Sequence, residues 1–210
     1  MIDSHCHIND QCFANQENQY IEEASRNGVK TFLVVGYDLQ SSLKATEIAS
    51  RNNDCYSAIG IHPSEVKKAG DKNICKLEKM LSNNKIIAIG EIGLDYYWDK
   101  DVEIKSLQKR FFIEQIELAN KHNLPISIHC RDAYEDCLNI LKNNPVKRGG
   151  IMHCYGGSSE MMKEFIKLGF LIGIGGVVTF KNAVKMKEVA LNVPSDKYVL
   201  ETDAPYLAPT

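Results

Sequence analysis

The residues of this 210-residue sequence best suited to chemistry are its six histidines and a few carboxylates. His5 and His7 flank Cys6 in a short run near the start of the chain that is typical of a β-strand. Because side chains alternate across a strand, the two imidazoles share one face and Cys6 points to the other. Two imidazoles on one face suit a divalent metal ion, although a lone pair with this spacing is more often structural.

Other candidate ligands fall at the carboxyl ends of further predicted strands. They are His62, Glu91, His129, His153 and Asp203. In a barrel of parallel strands these ends open on one face, and that face carries the active site. We therefore expect these side chains to converge. The sixth histidine, His122, lies in the last turn of a predicted helix, where a cation suits the helix dipole, so we interpret it as structural.

This supply of ligands indicates two metal ions. One ion uses about three protein ligands, and the sequence offers more than that. A carboxylate can bridge two ions that lie roughly 3.5–4 Å apart, and Glu91, in the middle of the set, is the natural bridge. Imidazole and carboxylate ligands together suit Mg²⁺, Mn²⁺ or Zn²⁺, so the residues leave the identity of the metal open.

Three cysteines directly follow candidate histidines: Cys6, Cys130 and Cys154. Strand alternation predicts that their thiols point into the helix layer as small packed side chains. The seven cysteines are odd in number and include no C-x-x-C pair, which predicts reduced thiols in a cytosol-like compartment.

The elements that must position these residues alternate between strands and helices along the chain. Strands are predicted at 2–8, 31–36, 56–61, 86–92, 126–130, 150–154, 170–174 and 198–202. Amphipathic helices are predicted at 15–27, 41–52, 73–83, 103–122, 134–142, 159–168 and 183–192. This α/β alternation predicts a parallel sheet with right-handed crossovers, and eight strands favour a (β/α)8 TIM-like barrel over an open sheet. We expect a single domain, residues 1–210, whose pattern ends after the eighth strand without the last helix of the barrel.

The composition narrows the functional classes. The formal charge of −2 excludes a broad basic surface as the main source of affinity for a nucleic acid, but not a nucleic acid held at one point by a metal. No apolar run is long enough to span a membrane, and no signal peptide is evident. We expect a cytoplasmic protein with no membrane association and no dedicated protein partner.

Six motifs, in order and across the whole chain, resemble the TatD-type metal-dependent deoxyribonucleases. They are HCH at 5–7, GIHP at 60–63, GEIGLDY at 90–96, LPISIHCR at 124–131, HCYGG at 153–157 and ETDAPY at 201–206. The resemblance implies a TIM-like barrel and metal-dependent hydrolysis of DNA, as a 3'–5' exonuclease on single-stranded DNA or ends, in DNA repair or degradation. Members of this family usually continue through a further helix after the last motif.

The resemblance also implies which residues bind the ions. The first metal ion would be held by His5, His7, Glu91 and Asp203. The second would be held by Glu91, His129 and His153. His62 would line the pocket, and Arg131 would clamp a phosphate.

Three carboxylates, Asp203, Glu91 and Glu201, are expected to act in catalysis. We expect two-metal hydrolysis in which water attacks the phosphate in line, while Asp203 orients that water or accepts its proton. Glu201 lies two residues before Asp203, hence on the same face of the strand, and is similar to the supporting carboxylate of the family.

Contacts to DNA are expected from the loop that follows Glu91. Tyr96, Tyr97 and Trp98 are candidates for stacking on bases, and their alternative role is packing against the barrel rim. Arg131 and Lys181 are the candidate phosphate contacts. With so few cations, binding should depend only weakly on salt concentration.

Two other functions remain open from the sequence. One is an amidohydrolase that cleaves a small amide, lactone or ester, since its chemistry uses a similar set of ligands. Many such enzymes have a modified lysine at the place of Glu91, which favours the nuclease. The other is a non-catalytic module with a structural metal; such sites are usually closed, whereas these ligands meet at an open barrel mouth.

Overall fold

The computed structural model describes residues 1–70 and 72–210 and contains eight strands that pair in chain order. The strands are β1 (Ile2–Cys6), β2 (Thr31–Val35), β3 (Cys55–Ile59), β4 (Ile86–Asp95), β5 (Ile126–Arg131), β6 (Gly150–Met152), β7 (Phe170–Ile174) and β8 (Tyr198–Leu200). Each neighbouring pair from β1–β2 to β7–β8 is parallel. The sheet curls into a nearly closed barrel, which confirms the predicted TIM-like fold.

Seven α-helices occupy the crossovers between consecutive strands in the described part of the chain. They are α1 (Glu17–Arg26), α2 (Leu39–Arg51), α3 (Lys72–Met80), α4 (Val102–Lys121), α5 (Tyr134–Asn143), α6 (Ser159–Lys167) and α7 (Val184–Asn192). Short 3-10 turns lie at Gln11–Phe13, Pro63–Glu65 and Gly176–Thr179. Tyr198 and Leu200 on β8 are 42% and 43% exposed. No helix in the described residues is long and apolar enough to cross a membrane.

The largest apolar cluster lies between the barrel and the helices that surround it. It joins residues of β3 to β7 with buried residues of α3 to α7, including Phe111, Phe112 and Ile116 of α4. Two buried glutamines of α4 fix strand ends within this layer. The Gln115 side chain bonds both the backbone N–H (2.7 Å) and the carbonyl (3.1 Å) of Ile61, and Gln108 bonds Asp95 in the same way (3.0 and 3.1 Å). Since a buried backbone group must be paired, the side-chain amides of Gln115 and Gln108 satisfy the backbone at the carboxyl ends of β3 and β4.

The seam between β1 and β8 is closed by a few specific bonds. The backbone N–H of Asp203 donates to the carbonyl of His5 (2.9 Å), and that of His7 donates to the carbonyl of Ala204 (2.8 Å). The buried Asp3 carboxylate accepts bonds from the backbone N–H (3.0 Å) and the hydroxyl (2.7 Å) of Thr202. Asp3 therefore joins the first strand to the segment that follows the last one.

Replacing Asp3 with alanine is expected to destabilise the barrel by about 1–3 kcal/mol, because it leaves the Thr202 donors unpaired at the seam. The free energy of unfolding, measured with urea, checks this value. The matched control is Asp54→Ala, at an exposed position before β3, with an expected change within about 0.5 kcal/mol. Equal unfolding midpoints for the two variants would contradict the role of Asp3.

The strand boundaries differ from the predicted ones around the cluster of histidines. Strand β4 continues past the predicted residue 92 to Asp95, because Gly93, Leu94 and Asp95 stay in register with β5. Strand β6 ends at Met152 rather than at residue 154, and β8 ends at Leu200 rather than at 202. The backbones of Cys154 and Asp203 have positive φ angles of 42° and 59°, which strands do not accommodate. The chain therefore turns directly after His153 and at Asp203, which are two of the predicted metal ligands.

Candidate metal centre

The Glu91 carboxylate lies at the centre of a group of side chains at the barrel mouth, called the metal cluster below. Its other members are His5, His7, His62, His129, His153 and Asp203. The Oε2 atom of Glu91 lies 3.6 Å from Nε2 of His5 and 3.7 Å from Nε2 of His7. Its Oε1 atom faces the other histidines, with distances of 3.0 Å to Nδ1 of His129, 3.6 Å to Nε2 of His62 and 4.0 Å to Nε2 of His153. One oxygen thus serves each half of the cluster, which is the arrangement that a bridging carboxylate requires.

Asp203 lies on the opposite side of the first pair of histidines. Its Oδ1 atom lies 3.4 Å from Nε2 of His7, 3.9 Å from Nε2 of His5 and 3.5 Å from Nε2 of His153. The Asp203 side chain is 14% exposed, compared with 6% for Glu91. Asp203 is therefore the carboxylate of the pair that is more open to the cavity.

Two of the imidazoles have carboxylates behind them. Nε2 of His129 lies 3.1 Å from Oδ2 of Asp95, and Nδ1 of His153 lies 3.2 Å from Oε1 of Glu201. Glu201 Oε1 also accepts the backbone N–H of Cys154 at 2.6 Å. A histidine whose outer nitrogen faces a carboxylate keeps its inner nitrogen as a more basic ligand for a metal.

Neutral groups hold the outer nitrogens of the other imidazoles. Nδ1 of His5 lies 3.2 Å from the Ser127 hydroxyl, and Nδ1 of His7 lies 2.9 Å from the Val35 carbonyl. Nδ1 of His62 lies 2.8 Å from the hydroxyl of Ser64. Every imidazole of the cluster is thus fixed from outside and directs its other nitrogen toward Glu91.

The distances group the ligand atoms differently from the resemblance at one point. Three groups of neighbouring ligand atoms each contain at least two predicted metal ligands: His5, His7 and Asp203; His5, Glu91 and His153; and His62, Glu91 and His129. His153 stacks on His5 with 3.4 Å between ring centroids, whereas His62 contacts His129 at 4.4 Å. His62, which the resemblance places only in the pocket lining, therefore lies as close to Glu91 as His5 does.

Burial and the nearby carboxylates act in opposite directions on the pKa values of these imidazoles. Burial lowers the pKa of His5 to about 4 and that of His62 to about 3. Burial acts in the same direction on the other pair, but it is outweighed by nearby carboxylates. Asp95 and Glu91 raise the pKa of His129 to about 9, and Glu201 raises that of His153 to about 10.

Histidines are the only cationic side chains within 4.0 Å of the carboxylates of Glu91, Asp95, Glu201 and Asp203 in the described parts of the chain, 1–70 and 72–210. Buried carboxylates without a lysine or arginine need another positive charge. Imidazole nitrogens and carboxylate oxygens are a donor set for divalent metal ions. The residues present therefore fit the metal ions that the sequence predicts.

The cluster opens into a cavity of about 770 Å³ at the carboxyl ends of the strands. Its wall includes His7, His62, Glu91 and Asp203 from the metal cluster, together with Arg131. His5 and Glu201 lie buried beneath it. A cavity of this size can hold a small-molecule ligand, and its polar groups lie at the floor.

Four predicted substrate contacts lie outside the lining of this cavity: Tyr96, Tyr97, Trp98 and Lys181. The Tyr96 hydroxyl donates to Asp136 at 2.7 Å, and the ring lies 4.5 Å from the ammonium group of Lys105. Tyr96 is thus tied to α4 and α5. Lys181 is exposed in the loop before α7. His122 pairs with Glu78 of α3 at 2.9 Å, remote from the metal cluster as expected.

The cysteines follow the prediction with one exception. All seven are free, and Cys6 and Cys130 are buried. The prediction is wrong for Cys154, which lines the cavity and lies beside His153 and Glu201. Strand alternation does not govern its direction, because β6 has already ended at Met152.

Asp95 is the functional residue that the sequence reasoning missed. It lies four positions after Glu91 on the same strand, so both side chains occupy one face of β4. That spacing was the available signal. It would have required the strand to be extended past Gly93, a residue that usually suggests a strand end.

Comparisons with known proteins identify the family of the chain. A family model described as "TatD related DNase" matches residues 2–210. The chain is 41% identical to the uncharacterized metal-dependent hydrolase YabD of Bacillus subtilis (strain 168), over all of this chain and 82% of that protein. The crystal structure of YjjV, a TatD homologue from Escherichia coli K12, superposes with a TM-score of 0.95 at 30% identity, over 100% of this chain and 81% of that one. A TatD-family hydrolase from Entamoeba histolytica gives a TM-score of 0.85 at 26% identity, over 99% of this chain and 74% of that one.

Proposed function

This chain belongs to the TatD-related DNase family of metal-dependent hydrolases, and from that premise we propose that it hydrolyses the phosphodiester bonds of DNA, as a 3'–5' exonuclease on single strands. One observation carries the proposal: the two oxygens of Glu91 face two separate sets of imidazoles. This is the ligand arrangement of a two-metal hydrolase, which activates water and stabilises a phosphate at the same place.

The proposed ligands are those implied by the family motifs. His5, His7, Glu91 and Asp203 would hold one ion, and Glu91, His129 and His153 the other. The ions, Mg²⁺, Mn²⁺ or Zn²⁺, would supply Lewis acidity toward the phosphate and lower the pKa of water. The proximity of His62 to Glu91 and His129 makes it a candidate further ligand of the second ion.

Asp203 is proposed to orient the attacking water and to accept its proton. Its side chain is the more exposed of the two central carboxylates, so it can contact both water and substrate. Its Oδ1 atom lies within 3.5 Å of two imidazoles, which stabilise its ionised form, and its pKa is lowered by His7 and His153 despite burial. An ionised carboxylate is the state required of a base.

Glu201 and Arg131 would complete the reaction site. The buried Glu201 carboxylate is held by the backbone of Cys154 and keeps the His153 ring oriented. Arg131 follows His129 by two residues and lines the same cavity. Its planar guanidinium suits bidentate binding of a phosphate beside the metal cluster.

The test of this proposal follows end-labelled single-stranded DNA with purified protein and Mg²⁺ or Mn²⁺. We expect a ladder that shortens from the 3' end and disappears with EDTA. Asp203→Asn should slow cleavage by about a hundredfold or more, since a positioned base contributes about that much. Asp54→Asn, on the exposed surface, should cleave as the wild type does.

Two results would contradict parts of the proposal. Wild-type cleavage by Asp203→Asn would exclude its role as the base. A folded, metal-loaded protein that cleaves no DNA but hydrolyses a lactone, tested in parallel, would favour the amidohydrolase function instead.

Binding of single-stranded DNA is expected to depend weakly on salt. The formal charge is −2, and among the lysines and arginines of residues 1–70 and 72–210 only Arg131 lines the cavity, so few counterions are released. The slope of log K against log[salt] should correspond to about one or two phosphates, roughly −0.7 to −1.4. Fluorescence anisotropy at several KCl concentrations measures it, and a slope several times steeper would show a basic surface elsewhere.

A further inference from the structure

An exposed aromatic cluster lies at the rim of the cavity, around Arg131. The Arg131 guanidinium lies 3.9 Å from the centroid of the Tyr97 ring and 5.7 Å from that of Trp98. The two rings meet edge to face at 4.8 Å. Trp98 is 70% exposed and Tyr97 is 45% exposed. Two large aromatic side chains are thus exposed to water next to each other. A ligand that covered them would gain free energy from the burial of their apolar area.

The cluster is held in a fixed position relative to the metal centre by Asp95. Its Oδ1 atom accepts the backbone N–H groups of Tyr97 (2.9 Å) and Trp98 (3.2 Å). Its other oxygen lies 3.1 Å from Nε2 of His129. One buried carboxylate therefore orients a predicted metal ligand and also shapes the turn that presents the two rings.

Two further bonds fix the same loop. The backbone N–H of Tyr96 donates to the carbonyl of Arg131 at 2.9 Å, which keeps the turn beside the end of β5. The ammonium group of Lys67 forms an ion pair with Asp99 in the loop before α4. The aromatic rings are thus exposed on an anchored turn, so binding to them costs little conformational entropy.

The charge of Arg131 is available to a ligand. Within residues 1–70 and 72–210, no carboxylate lies within salt-bridge distance of its guanidinium, which packs against the two aromatic rings. Stacking on Tyr97 occupies a face of the guanidinium and leaves its N–H groups, which lie in the plane, free for an anion. Aromatic faces and an uncompensated cation side by side fit a ligand with a flat ring and a phosphate.

We propose that Tyr97, Arg131 and Trp98 form a platform for an unpaired nucleobase of a single-stranded nucleic acid. Its neighbouring phosphate contacts Arg131 and leads the strand into the cavity. Bases within a duplex already stack on both faces, so the platform selects strands with a free base. This inference rests on the proposed function and specifies its substrate: the strand is held by a stacked base rather than by a row of cations.

The platform contains its own reporter, because Trp98 is the only tryptophan of the sequence. The experiment titrates metal-loaded protein with phosphorothioate-linked oligothymidylate, which resists cleavage, and follows tryptophan emission. We expect quenching that saturates with binding. A backbone of the same length with abasic sites, and a blunt duplex, should cause little quenching.

Variants then separate stacking from general folding. Trp98→Ala should weaken binding of the oligonucleotide, followed by anisotropy of a labelled strand, by about tenfold, as is usual for the loss of one stacked base. Trp98→Phe, which keeps a ring, should bind within a few-fold of the wild type. The control is Tyr198→Ala, an exposed aromatic residue (42%) at the start of β8, which should leave affinity and cleavage unchanged.

The outcomes distinguish the platform from the proposed function. Unchanged emission, together with equal affinity of wild type and Trp98→Ala, would overturn the platform even if DNA is cleaved. Quenching by the oligonucleotide with a tenfold loss in Trp98→Ala would support the platform, whether or not the metal centre cleaves the strand. Absence of metal-dependent cleavage in that case would overturn only the proposed function.

Discussion

Glu91→Gln is expected to remove most of the bound metal and to slow hydrolysis on the order of a thousandfold. The substitution keeps the size of the side chain but replaces one oxygen with an amide N–H₂ and removes the negative charge. Five imidazoles, drawn from both sets, lie within 4.0 Å of this carboxylate. Both proposed ions would lose their shared ligand at once.

Elemental analysis of the purified variant and isothermal titration with Mn²⁺ measure the metal, and the end-labelled strand measures the rate. Glu47→Gln is the matched control, since Glu47 lies exposed on α2 and pairs only weakly with Arg51. If Glu91→Gln bound two ions with the affinity of the wild type, Glu91 would not be the bridge.

The largest effect on stability is expected from Gly93→Ala, at about 3–5 kcal/mol. Gly93 has a φ angle of 136°, a conformation that side chains rarely adopt, and it pairs directly with His129 of β5. A Cβ atom there would overlap the carbonyl oxygen of His129. Neither strand can move away cheaply, because the neighbouring residues Ile92 and Leu94 are fully buried.

Gly28→Ala isolates the contribution of the clash. Gly28 also has a positive φ angle, 95°, but a Cβ atom there meets nothing within 4 Å. It should therefore cost only about 1 kcal/mol of backbone strain. Urea unfolding of both variants gives the comparison, and equal losses would contradict a clash between the added Cβ atom at Gly93 and the His129 carbonyl.

Much of the architecture was predictable because the signals were local. All eight strands and seven helices fall where hydrophobic periodicity places them, with boundaries shifted by a few residues. The convergence of the candidate ligands was predictable for a different reason. The carboxyl ends of parallel strands meet on one face of a barrel. The convergence of His5, His129 and His153 can therefore be inferred from their positions at strand ends, without knowledge of any long-range contact.

The features that escaped prediction depend on contacts between distant segments. Cys154 turns into the cavity because its backbone leaves the strand early. Tyr96, the first aromatic residue of its loop, is held by Asp136 of α5, whereas the next two residues reach the rim. Asp95 contacts both the His129 ring and the backbone of the turn after β4. Its two roles could be predicted only if both of these positions were known. No periodicity within one segment encodes such choices.

The position of the metal cluster on the barrel seam links catalysis to mechanical integrity. His5 and His7 belong to one side of the seam and Asp203 to the other, and 199 positions of chain separate the neighbouring seam residues Asp3 and Thr202. An ion held by these ligands is a cross-link between the first and last strands, closing a loop of nearly the whole chain. Since such an ion binds only the closed form, each hundredfold excess of free metal over its Kd adds about 2.7 kcal/mol against opening. The supply of metal would therefore govern the lifetime of the folded barrel as well as its rate of turnover.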